Sequence, residues 1–271
     1  MMLPMATRRI RFIVRMLVSV TLVAGGMSRA AEREMLDDLS ARVQFDYYAN
    51  DVRALQRDLQ TLKQLEVPDE HAIVRQYYLA YGHMRLAEAS GDQDRPAARK
   101  AASHCAKLAD DIVDTEPKRT TPRERVRLDI LYAELWAIQG ACGSLEATLS
   151  LLPETTFSSA RAREKAATLA PNNPRVQLLA AIYESKRANN AQDFTKANWR
   201  LLAVTQAFDN APPADPDLPD WGQADAWAWL GYSYLKLGDK VAARNALERA
   251  LVLTPDYVWA RTLQSQLRSV R

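Results

Sequence analysis

One stretch near the C-terminus carries large and small residues at fixed offsets. It reads Trp227-Ala-Trp-Leu-Gly-Tyr-Ser-Tyr234, followed by Gly238, Ala243, Leu247, Ala250 and Pro255. Gly238 can adopt the left-handed conformation that ends a helix, and Asp239 can cap the next one. Pro255 then stops the second helix. The pattern predicts two antiparallel helices that cross closely where Gly231 and Ala243 are small.

The unit resembles a tetratricopeptide (TPR) repeat at all eight customary positions, with Leu247 where phenylalanine is usual. In such a repeat, Trp227, Leu230 and Tyr234 fill the groove made by the second helix and the next repeat. The repeat is predicted over residues 224–257. A basic capping helix over 258–270 follows, with Ala260, Leu263 and Leu267 as its apolar residues.

Weaker copies of the unit lie upstream. They are Leu79 with Ala80, Ala133 with Trp136 and the helix-ending Gly140, and Leu179 with Ala180 and Tyr183. A single repeat cannot bury its own apolar face, so neighbouring repeats must stack. Only nine glycines and many alanines and leucines also favour helices. We therefore predict an all-α fold for residues 31–271, a TPR-like right-handed solenoid of about three or four helical hairpins with irregular N-terminal repeats.

Apolar periodicity and the proline and glycine breaks place the individual helices. One stripe runs from Tyr48 to Leu62, with Asn50 or Asp51 capping or bending its start. Further helices are expected over about 71–88, 96–114, 123–140, 155–169, 174–188, 193–208, 223–237 and 239–253. Asp209–Pro219, with four prolines and three aspartates, is expected to be an exposed loop.

The C-terminal 110 residues also resemble a family of secreted bacterial TPR proteins. The similarity rests on the stretch from Ala166 to Val176 and on Trp221-Gly222 before the repeat. Members often carry a Phe-Gly-Gly turn before the penultimate repeat, whereas this chain reads Ala191-Gln-Asp-Phe194. The family implies a fold and a location, but not a reaction.

Residues 1–30 have the pattern of a secretory signal peptide. Four arginines between Arg8 and Arg15 precede a short apolar run, and Ser28-Arg29-Ala30 offers small residues for cleavage after Ala30. The run is too short to span a bilayer. We expect a periplasmic protein without stable membrane insertion. Twin-arginine export is the less favoured alternative to ordinary secretion.

Export changes the charge balance. The whole chain has 36 basic and 33 acidic side chains, and losing the five arginines of residues 1–30 leaves 31 against 33. A nearly neutral mature chain gives no electrostatic reason to expect nucleic acid as a partner.

The chain carries no recognisable catalytic, phosphate-binding or cofactor-binding motif. We therefore expect no enzyme activity, no cofactor and no metal site. His83 and His104 are expected at the same level of one helical hairpin, with Glu134 nearby, and ordinary packing is the favoured interpretation. A hairpin turning near residue 119 would place Cys105 opposite residue 133 and about 13 Å from Cys142, which disfavours a disulfide without excluding it.

The expected function is non-catalytic binding of a protein or peptide partner in a concave groove lined by the first helices. Offsets within the repeats give the candidate groove residues, which are Tyr77, Tyr81, Met84, Arg85, Gln177, Glu184, Tyr232 and Lys236. Burial of some of them by the N-terminal helices is the alternative interpretation. A structural component of the cell envelope, assembling through the solenoid ends or the Asp209–Pro219 loop, is the alternative function.

Overall fold

The computed structural model describes residues 29–269, except 92, 114–120, 155–157, 212–214 and 216–217. Residues 1–28 of the predicted signal peptide lie outside this part. The described residues form eleven helices and no strand, and none of these helices is long and apolar enough to cross a membrane. The helices are α1 (Arg29–Tyr48), α2 (Val52–Gln64), α3 (Asp69–Ser90), α4 (Arg95–Val113), α5 (Pro122–Ser150), α6 (Ser159–Leu169), α7 (Pro174–Arg187), α8 (Ala191–Asp209), α9 (Gln223–Leu237), α10 (Lys240–Leu253) and α11 (Val258–Ser269).

Consecutive helices form five hairpins, from α1 with α2 to α9 with α10, and α11 packs on the last of them. The first helices of successive hairpins also pack on one another, so the hairpins stack into a solenoid. This confirms the predicted fold class, with more hairpins than expected. The additional helix α1 was missed because the sequence pattern was interpreted as a single stripe across Asn50. Asn50 instead adopts a positive φ of 56°, and the Asp51 side chain caps α2.

The repeat that begins in α9 has the predicted packing. Gly238 is left-handed with φ of 81°, and the Asp239 carboxylate accepts a hydrogen bond from the Ala242 N–H at 2.9 Å. A Cβ atom at Gly231 would lie 2.7 Å from Leu247 Cγ, so only glycine permits this crossing without rearrangement. Leu230, Ala243, Leu247 and Ala250 are buried, whereas Trp227 and Tyr234 are half-buried and Pro255 is exposed.

Helix α5 corrects one sequence expectation. Gly140 was assigned to a helix end, yet α5 continues for another ten residues to Ser150. A Cβ atom at position 140 would lie 2.7 Å from Arg163 Cγ and 3.1 Å from the Ser159 carbonyl oxygen. Gly140 therefore serves close packing of α5 against α6, and helix termination is not its role.

A disulfide joins Cys105 of α4 to Cys142 of α5, with their Cα atoms 6.1 Å apart. A hairpin that turned near residue 119 would place Cys105 opposite residue 133, which is nine residues before its actual partner. The side chains of Asp110 and Gln139 are hydrogen-bonded, and Arg95 donates to the Thr148 carbonyl, which shows the same shifted register. The first turns of α5 extend past the end of α4, so the assumption of a tight symmetric turn was wrong.

The two histidines of the α3–α4 hairpin do lie at one level, with ring centroids 4.3 Å apart. Glu134 is not their neighbour, because its carboxylate accepts hydrogen bonds from Tyr77 and Asn173. No group of three or more potential metal ligands occurs among the described residues.

His83 makes the stability of the fold sensitive to acid. Burial, and then the nearby His104 and Lys63, lower the pKa of His83 to about 4. In the unfolded chain histidine titrates near pH 6.5, so the unfolded state takes up a proton first as the pH falls. Urea unfolding should therefore show a loss of about 3 kcal/mol between pH 6.5 and pH 4.

The substitution His83→Leu should flatten this part of the pH profile, since it removes the titrating group. The same slope in the variant and in the unchanged protein would contradict the assignment to His83.

Candidate functional site

A buried ion pair connects the N-terminal and C-terminal hairpins. Arg85 of α3 donates from Nη2 to Asp225 Oδ2 of α9 at 2.8 Å, and both residues have no exposed surface. Tyr48 and Tyr257 donate their hydroxyl hydrogens to the same carboxylate at 2.8 and 2.9 Å. We call these four residues the clasp, because they bring the end of α1 against the last repeat.

The Arg85 guanidinium makes further contacts in this core. Its Nη1 donates to Glu88 Oε2 at 2.9 Å, and its Cζ lies 4.3 Å from the Tyr47 ring centroid, a cation–π geometry. Burial would lower the pKa of Arg85, but Asp225 and its other neighbours outweigh this and raise it well above the usual value. The guanidinium therefore stays charged.

A second polar chain runs beside the clasp. The Trp221 indole donates to the Tyr77 hydroxyl at 2.8 Å, and Tyr77 donates to Glu134 at 2.6 Å. Asn173 and Arg175 from the start of α7 contact the other oxygen of Glu134. The segment before α9 is thereby fixed against α3, α5 and α7.

These contacts bury four of the eight residues that were predicted to line the groove. Tyr77, Tyr81 and Arg85 contact Trp221, and together with Met84 they are fully buried. The face of α3 that was assigned to a binding groove is instead covered by the approach to α9 and by α1. The alternative interpretation, burial by the N-terminal helices, holds for the contact of Tyr47 in α1 with Arg85, whereas Trp221 lies outside those helices.

The other four candidates lie on α7 and α9, the first helices of the last two hairpins. Gln177 donates to the Pro171 carbonyl, and Glu184 pairs with Arg200 of α8. Tyr232 is half-buried, and Lys236 is exposed with its ammonium 5.2 Å from the Tyr232 ring centroid. None of the eight candidates lines the cavity described next.

A cavity of about 890 Å³ lies between the first helices of the solenoid. We call it the central cavity. Its wall comes from the C-terminal part of α3, from α5, α6 and α7, and from Trp229, Tyr257 and Trp259 near the last repeat. Tyr47 and Tyr48 also line it, so the clasp borders the cavity at one end.

The rim of the central cavity is rich in cations. Among the residues that the structure describes, four basic and two acidic side chains line it, namely Arg95, Arg163, Lys186, Arg187, Glu88 and Glu154. Burial would raise the pKa of Glu88, but Lys186 and Arg85 lower it to about 2. Both acids are paired within the protein, since Lys186 contacts Glu88 at 3.0 Å and Arg163 contacts Glu154. The rim thus carries a surplus of positive charge.

Glu154 is held by several donors at once. Ser144 and Ser159 donate to one oxygen, and Tyr183 donates to the other at 2.8 Å. Burial would raise the pKa of Glu154, but these bonds, with Arg163, lower it to about 2. This carboxylate is a fixed part of the wall, and Arg187 reaches it only at 3.4 Å with 64% of its own side chain exposed.

Three rings form a half-buried cluster next to the cavity mouth. The centroids of Trp229 and Trp259 are 4.8 Å apart, and Tyr232 lies 5.4 Å from Trp229. We call Trp229, Tyr232 and Trp259 the aromatic surface. Lys186 lies over the Trp229 ring at 5.6 Å, so cations flank the surface on both sides.

Sequence reasoning missed most of the cavity lining. Trp229 and Trp259 were not assigned, and Tyr183 was considered only for packing. Trp229 and Trp259 were visible as aromatic residues outside the repeat's packing positions. The adjacent cations Lys186 and Arg187 lie in the last turn of α7.

Comparison with known families identifies one repeat. The profile described as Tetratricopeptide repeat matches residues 224–257, the range that the residue spacing predicts for this unit. No curated protein is significantly similar to the chain.

Two solved structures are similar to this chain over most of its length. One is YrrB, a TPR protein with an unusual peptide-binding site, with 16% identity, a TM-score of 0.35, and coverage of 87% of this chain and 96% of that chain. The other is an assembly chaperone of RpL4 (Acl4), with 12% identity, a TM-score of 0.43, and coverage of 88% and 95%. At these identities the likeness says nothing about what this chain binds.

Proposed function

We propose that this protein is a non-catalytic periplasmic adaptor that binds a protein partner through its aromatic surface. The observation that carries the proposal is the cluster of Trp229, Tyr232 and Trp259, which is half-buried on α9 and α11. Aromatic side chains flanked by cations are typical anchors of protein interfaces. Stacked hairpins also supply the rigid, extended surface that such binding needs.

Lys236 extends this surface at the end of α9. It is exposed, and its ammonium lies over the Tyr232 ring. A partner that contacts Tyr232 would therefore meet Lys236 as well. Both residues were candidates from sequence, and they can be changed without touching the clasp.

The test is crosslinking and pull-down from envelope fractions, with residues 31–271 as bait. We expect a captured partner to be lost with Tyr232→Ala, Lys236→Ala. It should be retained by the control Arg244→Ala on the exposed face of α10. A partner that both variants retain would contradict the assignment of the surface.

Periplasmic location rests on the sequence of residues 1–30 and needs its own measurement. We expect cell fractionation to place the protein in the periplasm, with Ala31 as its first residue. A cytoplasmic protein that retains Met1 would contradict export.

An envelope assembly role is the second candidate. It is favoured by Trp199 on α8, whose side chain is 68% exposed beside Lys196 and Arg200. Sedimentation of the protein alone would detect an oligomer, and Trp199→Ala should dissociate it. A monomer at all concentrations would remove this candidate.

A further inference from the structure

Many of the apolar side chains that line the inner wall of the central cavity are small. Eight of the described lining residues are alanines, and Leu179 and Ile182 are among the larger ones. Because alanine fills little of the space between helices, an opening of about 890 Å³ remains, within the range of small-molecule sites. Transfer of a hydrocarbon chain from water into this cavity would be favourable, because its apolar surface is removed from water.

A peptide fits this wall poorly. Each of its residues brings a backbone N–H and C=O, and burying these without partners is unfavourable. The helix backbones satisfy themselves, and Thr148 and Thr262 donate their hydroxyls to carbonyls of their own helices. Asn50 and Gln93 are the side-chain amides among the described lining residues. A hydrocarbon chain needs no such partners.

The charged side chains at the rim favour a ligand that also carries a negative charge. The surplus of cations comes from Arg95, which donates to the carbonyls of Leu149 and Thr148, and from the exposed Arg187. Lys186 lies between Glu88 and the Trp229 ring. A negatively charged head group at the rim would be attracted by these cations, because the acidic side chains nearby do not neutralise all of them.

We propose that the central cavity binds a single-chain anionic amphiphile of the fatty carboxylate type. Its hydrocarbon chain lies along the alanine-rich wall, and its carboxylate lies at the rim near Lys186 and Arg187. The site adjoins the proposed partner surface, because Trp229 and Trp259 line the cavity, whereas Tyr232 and Lys236, which are changed in the partner test, do not.

The test is calorimetric titration of the purified protein with decanoate, dodecanoate and tetradecanoate. Each added CH₂ that is buried should raise affinity about four-fold, so each step of two CH₂ groups in the series should gain about fifteen-fold until the cavity is full. 1-Dodecanol, which lacks the charge, should bind at least about ten-fold more weakly than dodecanoate. Equal affinity across the series would overturn the proposal.

Variants distinguish this site from unspecific detergent-like binding. Ala180→Phe and, separately, Ala141→Phe should each weaken dodecanoate binding by about ten-fold or more by filling the cavity. Lys186→Met, Arg187→Met should reduce the preference for dodecanoate over the alcohol. Arg244→Met on the exposed face of α10 should bind normally. Circular dichroism should show that each variant is folded.

Two results would overturn the assignment. One is dodecanoate binding that every variant retains, which means adsorption elsewhere. The other is tighter binding of an alternating Glu-Leu octapeptide than of dodecanoate, lost in both phenylalanine variants, which would make the cavity a peptide site.

Discussion

Asp225→Ala is expected to lower the free energy of unfolding by about 3–5 kcal/mol, because it leaves a buried charge without its main partner. Arg85 and Asp225 are both fully buried. The substitution also removes the acceptor of two tyrosine hydroxyls, Tyr48 and Tyr257. Urea unfolding followed by circular dichroism measures the loss.

The matched control is Asp256→Ala. Its partner is Arg261, and both side chains are 56% exposed. An exposed pair contributes at most about 1 kcal/mol, so this variant should unfold almost like the unchanged protein. Equal stability of the two variants would contradict the conclusion that the clasp stabilises the fold.

Removing the disulfide should lower the free energy of unfolding by a similar amount. The bond closes a segment with a sequence separation of 37 residues, and constraint of the unfolded chain over such a length contributes about 3–4 kcal/mol. The double substitution Cys105→Ala, Cys142→Ala should lower stability by that amount. Treating the unchanged protein with dithiothreitol should bring it to nearly the same value.

Two measurements bear on that prediction. Thiol titration of the denatured protein without reductant should find no free thiol, because both cysteines are paired. If reductant left the stability unchanged, the bridge would not be constraining the unfolded chain as argued.

The repeat was readable because its residues interact locally. Gly231 and Leu247 meet within one hairpin, and Gly238 ends one helix of that same hairpin. Such short-range constraints leave a fixed spacing in the sequence. The fold class and the position of the last helices could therefore be predicted from residues alone.

The cavity and the clasp were not readable in this way. Tyr48 and Asp225 are 177 residues apart in sequence, and no spacing rule connects them. The offsets that place Tyr77 and Tyr81 on an inner face are sound for an open solenoid. They gave the wrong exposure here because the chain curves far enough for its last repeat to cover that face.

The disulfide was misjudged for a related reason. Its prediction depended on where the α4–α5 hairpin turns, and a shift of nine residues turned an expected separation of about 13 Å into a bonded pair. Periodicity defines the faces of a helix, but it does not define how far one helix slides along another.

The clasp also imposes an order on biogenesis. A chain that emerges N-terminus first presents Arg85 well before Asp225, which follows 140 residues later. During that interval the inner face of α3 has neither its carboxylate nor the ring of Trp221. The early hairpins are then incomplete intermediates whose exposed apolar face favours aggregation until the last repeat has been synthesised.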